Sequence, residues 1–267
     1  MSKTSRKRDY REKEDQEEKK VRRFPHVEGN WPSFAYILSR WWKWDWSVVP
    51  REDHDTEIAS TIAEVNSQLN LSGDKCFIPL YEEKQGFNKI HVSLTKLFFL
   101  RDFQIDPFVR DIRNRLKSPA FFMTLSQPQV FTNEDKTRSF CSILVQKGYN
   151  SVVQLIHQFD EVLINYKKEK YYDPPIPHCT IGSYVGDLST EAKEKGIYGN
   201  TYVESEEYDS DDDNRIEECV DTVYLSIGNR LFTVNLHCWI CWTTKVLYKN
   251  KHCCKEHCLQ PFLVWNI

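Results

Sequence analysis

The chain has 267 residues, of which 40% are hydrophobic, and this length and composition predict a globular protein with a sizeable core. No apolar run reaches roughly 18 residues, which excludes a membrane-spanning helix and a membrane partner, and nine irregularly spaced cysteines argue against a disulfide scaffold. The net charge of −3 combines +4 over residues 1–23 with −8 over residues 204–218, so the rest of the chain is not acidic and leaves room for an anionic partner.

The first 23 residues contain almost no apolar side chains, so burial cannot repay the entropy of ordering them and a disordered tail is predicted. The basic runs at residues 6–8 and 19–23 resemble nuclear-import signals, which predicts localisation in the nucleus. A merely solubilising tail is the alternative, and runs this short do not decide between the two. Order is predicted to begin near Phe24, giving a folded domain over residues 24–237.

Three amphipathic helices are predicted from apolar residues that recur every three or four positions. The first spans residues 57–71 and the third spans residues 151–167. The second opens at Asp106 and continues to Leu116. Pro107 is expected in the first turn of this second helix, where the missing N–H of proline costs nothing.

Short β-prone segments lie before, between and after these helices, and the pair Gly228-Asn229 is a hairpin signal. The mixture of strands, helices and a hairpin favours an α+β fold with antiparallel sheet. The acidic stretch around residues 190–218 is interpreted as a solvated loop insertion. The predicted strands cover residues 34–38, 90–100, 121–131, 139–145, 177–185, 220–227 and 231–237.

Three His-x-Ser/Thr sequences occur in the chain, and a single one is weak evidence for function. The match at His54 lies in a polar stretch before a helix and is attributed to chance or capping. The other two, His91-Val92-Ser93 and His178-Cys179-Thr180, lie on predicted strands with an apolar residue between the polar ones. Because side chains alternate across a strand, each motif presents an imidazole and a hydroxyl to the same face.

Two such motifs together match the chemistry of RNA transesterification. An imidazole with a pKa near 6.5 can take the proton from a ribose 2′-hydroxyl, and a second can protonate the departing 5′-oxygen. Hydroxyls such as those of Ser93 and Thr180 can donate hydrogen bonds to the phosphate as charge builds, so no metal is demanded. The alternative is that His91 and His178 are simply hydrogen-bonded strand residues, but the duplication of the pattern favours a catalytic pair.

These motifs and five further segments resemble the 2H phosphoesterases, and more closely the U6 snRNA phosphodiesterase family. The resemblance spans residues 24–237. Besides the two histidine motifs it rests on Phe-Pro-His-Val-Glu-Gly-Asn-Trp at residues 24–31, Phe-Thr-Asn-Glu-Asp-Lys-Thr-Arg at 131–138, Tyr-Asp-Pro at 172–174, Val-Gly-Asp at 185–187 and Gly-Asn at 228–229.

The resemblance implies a two-lobed fold in which two antiparallel sheets with flanking helices are related by a pseudo-twofold axis around a central cleft. It also implies a 3′-to-5′ exoribonuclease that trims the oligo(U) end of U6 snRNA without metal or cofactor. The terminal phosphate is 2′,3′-cyclic at least at first, and whether hydrolysis then opens it stays undecided. RNA is then the partner, and no obligatory protein partner is inferred.

Residue by residue, the resemblance gives His91 and His178 the roles of proton donor and acceptor, and we favour His178 as the base. Ser93 and Thr180 fall on phosphate-binding positions, where Thr180 departs from the Ser common in the family but keeps the hydroxyl. Tyr172 falls on an aromatic residue that stacks on the terminal base.

Two other functions stay open at this point: an RNA-binding protein of the same fold without catalysis, and a 2H enzyme acting on small cyclic phosphates or tRNA ends. Residues 238–267 have no counterpart in the family. Their cysteine and histidine residues invite a zinc-site interpretation, because Cys238 and Cys241 have ligand spacing. The group at residues 252–258 is crowded and irregular, so a divergent or splice-variant end is the preferred interpretation.

Overall fold

A computed structural model of the chain describes residues 29–38, 53–80, 90–199 and 216–236. The predictions for the basic tail at residues 1–23, for most of the acidic stretch and for the cysteine-rich tail at residues 238–267 therefore lie outside the described residues. Within the described ranges, none of the helices has the length and apolar character that crossing a bilayer requires.

The described residues form ten strands and four helices. The helices are α1 (Asp53–Gln68), α2 (Asp102–Arg115), α3 (Tyr149–Asn165) and α4 (Ser189–Glu194). The strands are β1 (Asn30–Leu38), β2 (Ile78–Pro79), β3 (His91–Ser93), β4 (Phe98–Arg101), β5 (Phe121–Thr132), β6 (Arg138–Val145), β7 (His178–Val185), β8 (Ile216–Val220), β9 (Thr222–Ile227) and β10 (Arg230–Asn235).

Eight strands form one hydrogen-bonded path in the order β10-β9-β1-β3-β7-β6-β5-β8, while β2 pairs with β7 and β4 pairs with β1. The strand pairs on this path and the β2–β7 pair are antiparallel, which confirms the predicted α+β class with antiparallel sheet. Two separate sheets were expected, but the pairing of Val92 with Cys179 joins β3 to β7 and makes the path continuous. Four strands lie on each side of this junction.

The central strands alternate between buried and half-exposed residues, as strands with one covered face should. Ala35, Val92, Cys179 and Leu225 are fully buried on the covered face. Helix α1 packs on β7, and α2 packs on α3, where the Phe108 ring meets the Tyr166 ring edge-on at 5.1 Å. The half-exposed face of the central strands carries the two histidine motifs.

The predicted start of the second helix is wrong. Helix α2 begins at Asp102, so Pro107 lies inside it and not in its first turn. The side chain of Gln104 accepts a hydrogen bond from the backbone N–H of Arg101 at 2.9 Å, which supports the earlier start. Proline cannot donate to the carbonyl of Phe103, but Phe103 is 78% exposed, and water can satisfy that carbonyl.

The single strand predicted over residues 90–100 is interrupted. β3 ends at Ser93 and β4 begins at Phe98. Between them, Leu94 N–H donates to the carbonyl of Ala35 and Thr95 Oγ1 accepts the N–H of Ala35, both at 2.9 Å. These bonds to β1 stabilise the turn, and such long-range contacts are not visible in a local pattern.

The segment predicted as strand 220–227 is also divided, because β8 ends at Val220 and β9 begins at Thr222. Part of the stretch interpreted as an acidic loop is regular structure, since it includes α4 and the beginning of β8. Glu218 pairs with Met123 of β5 and is only 8% exposed. The predicted turn at Gly228 is confirmed, with a φ of 58° and the Trp31 ring where a Cβ would lie.

Candidate active site

The two His-x-Ser/Thr motifs lie on the two strands that meet at the middle of the sheet. Val92 of β3 is opposite Cys179 of β7 in an antiparallel pair. One residue further along each strand, Ser93 is opposite His178, and in the other direction His91 is opposite Thr180. The structure therefore brings the four sequence-predicted residues together on one face, with each imidazole facing the hydroxyl of the other motif.

Two contacts fix the orientation of the His178 ring. Nδ1 lies 2.7 Å from the carbonyl oxygen of Ile176, and because a carbonyl only accepts, Nδ1–H is the donor. The neutral ring then carries its lone pair on Nε2. The ring of Phe131 stacks on the imidazole, with centroids 4.2 Å apart and planes 16° from parallel.

The environment of His178 favours its neutral form. Burial lowers the pKa of His178 below its usual value of 6.5, and the charge of nearby His91 lowers it further, against an opposing contribution from the Ile176 hydrogen bond. The two histidines thus influence each other's charge. A neutral His178 is the protonation state that this environment favours.

His91 and Thr180 are each held by a neighbouring strand. The rings of Tyr36 and Phe34 on β1 lie 5.2 and 5.9 Å from the His91 ring. Thr180 Oγ1 lies 3.1 Å from Oγ of Ser142, a fully buried residue of β6, and either hydroxyl can be the donor. When Ser142 donates, the Thr180 hydroxyl keeps its own proton for a ligand.

Tyr172 lies apart from the sheet, in the loop that precedes β7, and it is 54% exposed. The ammonium of Lys96, which follows β3, lies 4.4 Å from the centre of its ring. Lys96 is also 3.7 Å from a carboxylate oxygen of Glu169, and Tyr171 meets Tyr172 edge-on at 5.4 Å. Tyr172 thus lies beyond the ends of β3 and β7, where Ser93 and His178 are found.

Metal ligation has no visible basis in the part of the chain that the structure describes, since no three His, Cys, Asp or Glu side chains cluster there as ligands would. The cysteine and histidine residues after residue 237 lie outside it. The sequence-based interpretation missed Phe131, Ser142 and Lys96. Phe131 opens the segment 131–138, but β6 separates its strand from β7, so spacing gives no sign of its contact with His178.

The sequence model of the HVSL family, described as "Uncharacterised conserved protein", matches residues 1–235. U6 snRNA phosphodiesterase 1 of Drosophila melanogaster is 28% identical over 219 residues, which are 81% of this chain and 74% of the relative. The protein of the same name from Dictyostelium discoideum is 29% identical over 190 residues, covering 68% of this chain and 61% of the relative.

The solved structure of Kluyveromyces marxianus Usb1 has the same fold. It superposes with a TM-score of 0.52 at 15% sequence identity, over 78% of this chain and 98% of that chain. This likeness confirms the 2H phosphoesterase fold, and the relatives confirm the resemblance to U6 snRNA phosphodiesterases. Residues 91–94 read His-Val-Ser-Leu, the four letters of the matched family's name, and lie at the centre of the site. The chain belongs to the HVSL family.

Proposed function

We propose that the chain is a 3′-to-5′ RNA phosphodiesterase that trims the oligouridine end of U6 snRNA, the RNA named in its relatives. The observation that carries the proposal is the pairing of Val92 with Cys179, which sets the two motifs antiparallel on one face. A phosphate between the strands is then within reach of one imidazole and one hydroxyl from each side.

His178 acts as the general base in this reaction. Its neutral ring carries the lone pair on Nε2, which takes the proton from the 2′-hydroxyl of the penultimate nucleotide. The 2′-oxygen forms a bond to phosphorus as the bond from phosphorus to the 5′-oxygen breaks. His91 protonates that 5′-oxygen. The products are an RNA shortened by one nucleotide with a 2′,3′-cyclic phosphate, and a released nucleoside with a free 5′-hydroxyl.

Ser93 and Thr180 donate hydrogen bonds to the phosphate oxygens as negative charge builds on them. Ser142 supports Thr180 in this role by donating to it. Tyr172 stacks on the base of the terminal nucleotide. Lys96 lies over one face of the Tyr172 ring, so the base takes the other face.

The arrangement of the sheet supports a two-lobed molecule with a cleft at the junction of β3 and β7. Each half contributes four strands and one His-x-Ser/Thr motif. A pseudo-twofold axis near Val92 and Cys179 relates the two motifs. Residues 24–237 form the phosphodiesterase domain, residues 1–23 and 238–267 are tails, and the protein acts on RNA in the nucleus without a metal or cofactor.

The test is a trimming assay with the purified full chain, a 5′-labelled oligouridine and EDTA, with products identified by mass. We expect stepwise loss of 3′ uridines and a cyclic phosphate end. His178→Ala should slow trimming by at least about 100-fold while RNA binding is kept, because each proton transfer contributes roughly 10²- to 10⁴-fold. His157→Ala, at an exposed histidine on α3, is the matched control.

A divalent-ion requirement for cutting would overturn the mechanism. A 2′-deoxy sugar at the penultimate position removes the nucleophile and should block the step, whereas continued trimming would mean that water attacks. Binding without any cutting would favour an RNA-binding role, and faster turnover of small cyclic phosphates or tRNA ends would favour the other 2H activities.

A further inference from the structure

A second aromatic surface adjoins the histidine motifs, on the opposite side of β3 from β7. It consists of Phe34 and Tyr36 on β1 and Tyr224 on β9, called here the aromatic platform. The rings of Phe34 and Tyr36 stack at 5.1 Å with planes 24° apart, and those of Tyr36 and Tyr224 stack at 5.7 Å with planes 18° apart. The platform is continuous with the His91 ring, which lies 5.2 Å from Tyr36.

Strand register places the platform in line with the phosphate-binding hydroxyls. Tyr36 is opposite Ser93, and Tyr224 is opposite Tyr36, so the three residues form a row across three neighbouring strands. With neighbouring strands about 4.8 Å apart, the two tyrosines lie about 5 and 10 Å from the strand that carries Ser93. Tyr172 lies beyond the strand ends instead, so the two aromatic surfaces extend in different directions from the site.

Core packing does not account for these rings. The same two strands bury Ala35, Ile37 and Leu225 on the covered face, whereas the platform residues alternate with them on the half-exposed face. Burial raises the pKa of Tyr36, and the proximity of Tyr224 raises it further, so the Tyr36 hydroxyl stays protonated at neutral pH. A protonated hydroxyl beside a flat ring surface can donate to the carbonyl oxygens of a base.

The geometry points to the aromatic platform as a stacking site for a nucleobase of single-stranded RNA, one of the two nucleotides 5′ of the scissile phosphate. This inference rests on the proposed function, which provides the phosphate and the strand direction. Every base has a flat π surface, and stacking on an aromatic side chain strengthens binding without demanding a particular sequence. Tyr172 holds the departing nucleotide, while the platform holds the strand that remains.

The experiment measures binding of a five-nucleotide oligouridine whose penultimate sugar is 2′-deoxy, by fluorescence anisotropy with the full chain. Tyr224 is the residue to change, because the ring that contacts His91 is that of Tyr36 and it stays intact in this variant. Tyr224→Leu should weaken binding about tenfold, since it removes the ring but keeps an apolar side chain. Tyr224→Phe keeps the ring and should stay within about twofold. Phe103→Leu, at an exposed ring on α2, is the matched control and should leave binding unchanged.

Replacing single nucleotides by abasic ones separates stacking from a structural effect. The loss caused by Tyr224→Leu should disappear when one of the two nucleotides 5′ of the scissile phosphate is abasic, because the variant and the substrate then lack the same contact. If Tyr224→Leu weakens binding equally on every abasic substrate, or does not weaken binding of the intact oligouridine, the platform is not a stacking site. This binding assay needs no turnover, so its failure can be told apart from failure of the proposed function. Failure of the proposed function would appear as no trimming of an all-ribose oligouridine by the unchanged chain.

Discussion

His178 takes its orientation and its protonation state from the residues that surround its ring. The carbonyl of Ile176 receives Nδ1–H, the Phe131 ring covers one face of the imidazole, and His91 adds an electrostatic contribution. The result is a ring that is neutral at physiological pH and has Nε2 available. That state fits a base better than an acid, which supports the assignment favoured from the sequence.

The lowered pKa of His178 has a kinetic consequence. A base acts in its unprotonated form, so kcat/KM for oligouridine should fall on the acidic side with a midpoint below pH 6.5, the usual value for histidine. Activity is then retained as the pH falls to 6.5 and is lost only below it. A pH–rate profile in EDTA measures this. His157→Ala should give the same acidic limb, and a midpoint above 6.5 would contradict the assignment of His178 as base.

Gly199 offers a way to move the Phe131 ring without changing either stacked residue. A Cβ at Gly199 would collide with the Phe131 ring, whereas a Cβ at Gly196 in the same loop meets nothing within 4 Å, so that an alanine there adds only the backbone strain of a φ of 70°. Gly199→Ala should therefore displace the ring from His178 and lower kcat about tenfold with little change in KM, since a poorly oriented base transfers protons slowly. Steady-state kinetics of both variants test this. An equal fall for Gly196→Ala would show a general effect of the loop.

Hydrophobic periodicity predicted most helices and strands, because their patterns are local. It failed at the turn between β3 and β4, where Thr95 and Leu94 bond to Ala35 of another strand, and at β8, which exists through its pairing with β5. Acidic composition at Glu217 and Glu218 suggested a loop, but pairing with β5 overrides it. Elements that depend on distant partners were the ones missed.

The start of α3 depends on a glycine in a left-handed conformation. Gly148 has a φ of 78°, and a Cβ there would lie 2.5 Å from the carbonyl oxygen of Phe122. Gly73 has a similar φ of 61° but open space around the Cβ position. Backbone strain should lower the unfolding free energy of both alanine variants by about 1 kcal/mol. The unfolding free energy of Gly148→Ala should fall by about 2 kcal/mol more, because the backbone of β5 must also shift. Urea denaturation measures the difference, and equal losses would contradict the clash.

Over the whole molecule, the site joins residues from both halves of one sheet. His91, Ser93, His178 and Thr180 could be chosen as candidates from the sequence, because the repeated motif and the alternation of side chains along a strand are visible in it. The sequence did not reveal the pairing of Val92 with Cys179, since the 86 positions between these two residues carry no register information. The aromatic platform was missed for the same reason. Its three rings lie on strands at opposite ends of the chain, and only the order β9-β1-β3 brings them together.

The C-terminal end of the chain lies outside the part that the family model matches. The match ends at residue 235, and β10, the last strand described, also ends at Asn235. Leu236 N–H still donates to the carbonyl of Asp221 at 2.8 Å, so a chain that ends at residue 237 keeps every described hydrogen bond of β10. A chain of residues 1–237 should therefore keep its unfolding free energy within about 1 kcal/mol and trim oligouridine in EDTA at the full-length rate. If instead the shortened chain unfolds, and the full chain contains bound zinc whose removal also unfolds it, the cysteines and histidines of residues 238–267 hold a structural zinc that the fold needs.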